Sequence, residues 1–426
     1  MLAFGKRNGL AYGLLGLPLA FVALPLYVIL PNYYAKAFGV PLAVLGAILL
    51  GARLFDAFID PLLGRLSDRL FARSASAVLQ VGLLAAVVLA VGFALLFFPQ
   101  VTAPSALIVW ASVMLMVTYA AYSFLSVSHQ SWGAMLGGNE AERSRIVAWR
   151  EALGLVGVVL ASVTPVALGM PATTGIFFVA LVIGFMAWTQ AVQPVAKKDL
   201  AVAPGAVWLP FRHSNFKRLL LVFMLNGTAS AVPATLVLFF IQDHLQAPSS
   251  MEPLFLGSYF LAAALSIPLW LAIVKRIGLA RAWLCGMALA IAVFSWATQV
   301  GSGQTTAFLI ICALSGVALG TDLALPGALL AGVIQGNGDS GKSEGAYFGW
   351  WNFAIKLNLA LAAGLALPLL GLFGYAPGVR SPQALQALVM AYCVLPCVLK
   401  LAAGSALYFF IIQPSTPHRT ASHEIA

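Results

Sequence analysis

Apolar runs long enough to cross a bilayer follow one another through this chain, broken only by short polar loops. That pattern constrains the fold more than any other feature. In hydrocarbon a backbone N–H or C=O finds no water, so a spanning segment must satisfy its own polar groups, as an α-helix of about 20 residues does. Twelve such segments can be drawn: 10–31, 42–63, 76–98, 105–128, 146–169, 174–193, 218–241, 253–274, 282–300, 305–331, 346–371 and 384–412. With 62% hydrophobic and only 8% charged residues, the 426-residue chain lacks the charge that a soluble surface needs. The expectation is an all-α, multi-pass membrane protein embedded in a lipid bilayer.

The net charge of +10 is not a nucleic-acid footprint, because the cations lie in loops between apolar runs. An inside N-terminus places Lys6, Arg7, Arg65, Arg69, Arg73, Arg143, Arg145, Lys275, Arg276, Arg281 and Lys342 on the cytoplasmic side with the central connector, and leaves Lys36 and Arg380 outside. This imbalance puts both termini in the cytoplasm and the chain in the inner (plasma) membrane. No cleavable signal is expected, since the first apolar run continues to Leu30 without a small-residue cleavage site. Cys285, Cys312, Cys393 and Cys397 all fall within apolar runs and read as packing residues.

The second span breaks the pattern. Arg53, Asp56 and Asp60 sit at i, i+3 and i+7, which stacks them along one stripe of a helix with the carboxylates one turn apart. Each such ion near a bilayer centre costs roughly 2.5 to 3.5 kcal/mol. A feature so costly marks a functional site. Two neighbouring carboxylates repel, and a proton, a sodium ion or an ammonium group relieves that repulsion. Lys356, about ten residues and so about 15 Å into its own span, is the available ammonium. Arg53 reads as a structural partner of the acids. Asp322 and Lys400 are the remaining buried ions, with Asp322 either capping a helix break before Pro326 or pairing with Lys400. His129, at the end of the fourth span, reads as interfacial.

Six spans, a polar connector and six more spans resemble the major facilitator architecture of two six-helix bundles. On that reading residues 1–193 form the first bundle, 194–217 a cytoplasmic connector, 218–412 the second bundle and 413–426 a cytoplasmic tail. Gly64-x-x-Ser67-Asp68-Arg69-x-x-x-Arg73 resembles that superfamily's loop signature, with a degenerate Lys275-Arg276-Ile277-Gly278-x-x-Arg281 in the second half. Gly64 permits close helix approach, while Asp68, with Arg69 beside it, caps or pairs to hold one gating state.

Three stretches resemble the glycoside-pentoside-hexuronide:cation symporter family: Arg53-x-x-Asp56-x-x-x-Asp60-Pro61-x-x-Gly64, Glu142-Arg143-Ser144-Arg145-x-x-x-x-Arg150, and Glu344-Gly345-x-Tyr347-Phe348-Gly349-x-Trp351-Asn352-x-x-x-Lys356. The resemblance implies a cation site at Asp56 and Asp60, a nearby Lys356, and Arg150 facing substrate. Tyr119, Ser123, Asn352 and Trp351 are further substrate candidates. The family's best known member grips sugar hydroxyls through acids on its first and fourth helices and adds a fourth-helix threonine to the cation site. Here the first span has no acid, Ala120 stands at the threonine place and Ser123 at the acid's.

These features make the expected protein a cation-coupled secondary transporter of a small solute, a sugar or glycoside, working by alternating access as a monomer. The coupling ion is H+ or Na+, with any sodium held at Asp56 and Asp60, and no cofactor or nucleic-acid partner is expected. The rival readings are a lysolipid transporter of the same fold and a non-transporting membrane receptor. No Ser/His/Asp set, metal-ligand cluster or phosphate loop points to an enzyme.

Overall fold

A computed structural model describes residues 5–194, 206–375 and 378–414. Lys197, Lys198 and Asp199 of the connector and the tail beyond residue 414 lie outside the described residues. Among the described residues every regular element is helical.

The first span is built from α1 (Lys6–Gly13), α2 (Gly16–Leu24), a π-bulge at Pro25–Ile29 and α3 (Leu30–Phe38). Then come α4 (Leu42–Arg73), α5 (Ala75–Phe97), α6 (Pro104–Met135) and α7 (Glu140–Thr189). After a 3-10 turn at Ala206–Arg212 follow α8 (Ser214–Phe239), α9 (Glu252–Ile277), α10 (Leu279–Ala297), α11 (Thr305–Gly336) and α12 (Glu344–Leu372). The last span combines α13 (Pro382–Val389), a π-bulge at Met390–Val394 and α14 (Leu395–Leu407).

Nine helices among the described residues are long and apolar enough to cross a membrane. One of them, α7, holds the fifth and sixth spans on a single 50-residue element broken at Gly169 (φ 78°, ψ 169°), which only glycine adopts without strain. Together with α4, which carries Arg53, Asp56 and Asp60, and α12, which carries Lys356, these make the twelve spans of the fold. α7 starts earlier than its apolar run because Asn139 and Glu142 form a capping box: Asn139 Oδ1 accepts from the Glu142 N–H at 3.0 Å, and Glu142 Oε2 accepts from the Asn139 N–H at 3.1 Å.

α4 shows how such a helix is arranged for lipid. Leu50, Leu54, Phe58, Leu62 and Leu66, four residues apart, are all exposed, whereas Asp56, Asp60, Ser67 and Asp68 are buried. The apolar stripe faces outward and the polar stripe inward, the reverse of a soluble amphipathic helix.

The chain forms two compact units, residues 1–213 with 264–275 and 323–357, and residues 214–263 with 276–322 and 358–426. The core of the first is aromatic. Trp132 of α6 is fully buried, its ring 5.2 Å from that of Trp188 and 6.0 Å from that of Phe71, and its Nε1–H donates to the Val192 carbonyl at 2.9 Å. In the same unit the 3-10 turn docks on α12 through the Trp208 and Trp350 rings, 4.7 Å apart, and the Trp350 Nε1–H bond to the Val207 carbonyl. The second unit has its own cluster around Phe240, Phe255, Phe308 and Tyr392.

Trp132→Ala removes a filled ring site and orphans a carbonyl, so it is expected to destabilise the protein by about 3 to 5 kcal/mol, read as a clear fall in melting temperature in detergent.

Candidate functional site

The ions of α4 and α12 meet inside the first unit. Lys356 Nζ lies 2.7 Å from Asp56 Oδ1 and 2.7 Å from Asp60 Oδ2, and it donates to Ser123 Oγ at 2.9 Å and to the Asp56 carbonyl at 3.2 Å. Ser123 Oγ–H in turn donates to Asp56 Oδ1 at 2.6 Å. Both carboxylates are buried. Helical spacing explains why one ammonium reaches both acids, since Asp56 and Asp60 project from successive turns of one face.

The two acids are not equivalent. Asp56 Oδ1 accepts from the Ser123 hydroxyl as well as facing Lys356 Nζ, whereas Asp60 meets Lys356 Nζ through Oδ2. Asp60 Oδ2 is taken by the Lys356 ammonium, while Oδ1 has no hydrogen-bond partner among the described residues. A buried carboxylate with one oxygen unpartnered retains open lone pairs, which is where a proton or a small cation binds.

Tyr119 is buried with its hydroxyl unpartnered, and its ring lies 5.6 Å from Tyr27. Asn352 and Trp351, one turn before Lys356, are also buried. Arg53 differs from its expected pairing: its guanidinium lies 4.7 Å over the Tyr27 ring, and among the described residues it makes no ion pair with Asp56 or Asp60. Lys356 fills the place between the acids, leaving Arg53 to an aromatic face. Arg150 is held by its own neighbour, its Nε donating to Glu151 Oε1 at 3.0 Å, apart from the Lys356 contacts. His129 is not interfacial but fully buried. Its Nε2 lies 2.7 Å from the Tyr12 carbonyl, while the Tyr12 hydroxyl donates to the His129 carbonyl at 3.0 Å. Reciprocal bonding between two helices satisfies Nε2, while Nδ1 has no hydrogen-bond partner among the described residues.

At the other end of the α4–α12 contact the two backbones nearly touch. A Cβ on Gly64 would overlap the Gly345 carbonyl, and one on Gly345 the Gly64 carbonyl. This crossing delivers Asp68 to the first turn of α12, where Oδ1 accepts from the Gly345 N–H at 2.6 Å and Oδ2 from the Ala346 N–H at 3.0 Å. A carboxylate there meets both free N–H groups and the positive end of the helix dipole. Arg65 Nη1 adds an ion pair at 3.4 Å, and Arg69 stays exposed. Asp322 belongs to the second unit and pairs with Lys400 at 3.1 Å. Sequence reasoning missed Tyr27 as the seat of Arg53, and Glu344 as a second buried acid near Asp68. The Glu344-Gly345 pair just ahead of an apolar run was the available signal for the latter.

Residues 9–413 match the family described as MFS/sugar transport protein. The chain is 24% identical over 402 residues to an uncharacterized symporter, YjmB, of Bacillus subtilis, covering 89% of this chain and 85% of that one. It is 25% identical over 422 residues to the isoprimeverose transporter of Lactiplantibacillus pentosus, covering 92% and 86%. Among solved structures it shares its fold with the E. coli fucose:proton symporter at a TM-score of 0.69, with 14% identity over 93% of this chain and 99% of that one.

The acids at the start of α12 respond to pH. Glu344 Oε1 accepts from the Gly341 N–H at 2.6 Å and Oε2 from the Lys342 N–H at 3.2 Å, yet burial outweighs these bonds and pushes its carboxyl up to about 7. Burial first, and the Glu344 charge second, raise Asp68 well above the carboxylate range. A carboxyl raised on folding binds its proton more tightly in the folded state. Its stabilisation is therefore complete below the ordinary carboxyl range and is lost as pH rises through about 7 for Glu344. The shift corresponds to roughly 3 kcal/mol. The protein is expected to melt lower at pH 8 than at pH 6, with the slope flattened in Glu344→Gln, which keeps an acceptor for the Gly341 N–H.

Proposed function

The chain belongs to the MFS/sugar transport protein family, and on that premise we propose that it is a proton-coupled symporter of a sugar or glycoside. The observation that carries the mechanism is the unequal pair of acids around Lys356. Asp60 takes up the coupling proton on an oxygen that no donor occupies. Its charge is then gone, Lys356 keeps only Asp56 as an anionic partner, and the ammonium is free to reach a substrate hydroxyl. Ser123, bonded to Lys356, together with the buried Asn352, Trp351 and Tyr119, would complete that recognition. Arg150, paired with Glu151, orients rather than grips.

Neutralising a buried charge lowers the cost of rearranging the surfaces around it, which is how protonation drives a carrier between its two faces. The moving parts in this reading are residues 1–193 and 218–412, joined by 194–217. Asp68 on the first turn of α12 latches one state. The basic loops support cytoplasmic termini in an inner membrane. Names of relatives support the substrate class: one transports isoprimeverose, and the structural neighbour couples fucose to protons. Sodium is the less favoured ion here because Lys356 already occupies the space among the oxygens of Asp56, Asp60 and Ser123.

In proteoliposomes, an imposed pH gradient without sodium is expected to drive accumulation of a transported glycoside. Asp60→Asn should lower that accumulation at least a hundredfold while leaving counterflow exchange measurable. Accumulation that follows a sodium gradient and ignores pH overturns the proton assignment, and undiminished uptake in both Asp56→Asn and Asp60→Asn overturns the mechanism.

A further inference from the structure

Helices of the second unit line a half-open cavity of about 150 Å3 that shares no residue with the arrangement around Lys356. Its walls are mostly apolar and include the rings of Phe255, Tyr259 and Phe260 from α9, Phe294 from α10, and Tyr392 from the π-bulge of the last span. Ser230, Asp322 and Lys400 also border it.

That polar group is closed on itself. Asp322 Oδ1 accepts from Asn226 Nδ2 and Trp283 Nε1, each at 2.9 Å, and Oδ2 accepts from Ser230 Oγ at 3.0 Å and Lys400 Nζ at 3.1 Å. Lys400 Nζ also donates to Asn226 Oδ1 at 2.8 Å and to Ser230 Oγ at 3.1 Å. Four donors saturate the carboxylate and three acceptors saturate the ammonium. Neither group has capacity left for an ionic ligand, and breaking the pair leaves a buried charge uncompensated.

The chemistry of the remaining wall is equally selective. A pyranose carries a hydroxyl on most ring carbons, and each one buried without a partner costs about 1 to 3 kcal/mol. The hydroxyls of Tyr259, Tyr392 and Ser315 and the weakly polar thiol of Cys312 are the other polar side-chain groups on the lining, and Ser315 already donates to the Cys312 carbonyl at 3.0 Å. An aromatic-walled cavity of this size suits one six-membered ring.

We propose that this cavity is a binding site for an uncharged single-ring compound bearing one hydroxyl, chemically a phenol, with its ring against Phe255 and Phe294 and its hydroxyl bonded to Tyr259. Because the lining comes from α8, α9, α10, α11 and the last span, an occupant ties five spans together and stabilises this unit as an effector would.

The test is calorimetric titration of the purified protein in lipid nanodiscs, with empty nanodiscs as blank, using 4-methylphenol, its anionic counterpart 4-methylbenzoate, and toluene. One 4-methylphenol is expected to bind per chain, at least tenfold more tightly than 4-methylbenzoate. Ala318→Phe, which puts a ring into the cavity, should weaken 4-methylphenol at least tenfold. Tyr259→Phe should weaken 4-methylphenol and leave toluene unchanged. No saturable binding to the unsubstituted protein, equal binding of the anion, or a folded Ala318→Phe protein that binds as before overturns the site. If Ala318→Phe does not fold, Ser315→Leu on the same wall takes its place with the same reading. Unchanged 4-methylphenol affinity in Tyr259→Phe overturns the assigned hydroxyl contact.

Discussion

One ammonium group facing two carboxylates is the interaction on which the first unit depends. Asp56 and Asp60 lie one turn apart in a segment that must cross hydrocarbon, and neither can stay ionised there without a cation close by. Lys356 supplies it from α12 at 2.7 Å from each. The requirement propagates along both helices. Their backbones must come close enough for a lysine to reach, which is why glycines meet at Gly64 and Gly345 and no Cβ fits between them. The same approach brings Asp68 to the free N–H groups of Gly345 and Ala346. Charge compensation, close crossing and capping are one structural solution.

The two intramembrane ion clusters look alike in composition and differ in valence. Around Asp322 each carboxylate oxygen has two donors and Lys400 has three acceptors. A network so complete resists exchange, because any new partner must displace an existing one. Around Lys356 the set is incomplete: Asp60 Oδ1 has no partner among the described residues. An ion pair with unfilled lone pairs has somewhere to put a proton, and a saturated one does not.

Arg53 and His129 show where charge and polarity go when the obvious partner is taken or unnecessary. Arg53 shares a helical stripe with both acids, yet a lysine from a distant part of the chain wins that place, and the guanidinium settles on the Tyr27 ring. His129 looks like a headgroup residue at the end of an apolar run. Instead it is enclosed by Tyr12 and Trp188, with its Nε2 on the Tyr12 carbonyl. In both cases spacing along one helix constrains direction, and the partner comes from another helix that sequence spacing does not describe.

The twelve apolar runs, the basic loops and the three ions of the second span were legible in the sequence because each follows from local rules: the length needed to cross hydrocarbon, the cost of placing charge there, and the 3.6-residue repeat that puts Asp56 and Asp60 on one face. Lys356 could be named as a partner from the family resemblance together with its depth in the span. Which oxygen remains unoccupied, which cation is displaced, and which of two buried ion clusters is sealed were decided only by tertiary structure. Those outcomes depend on hydrogen-bond valence at a few atoms brought together from residues 27 to 356 in one unit and 226 to 400 in the other, and a one-dimensional pattern carries charges and periods but not the distances that spend a lone pair.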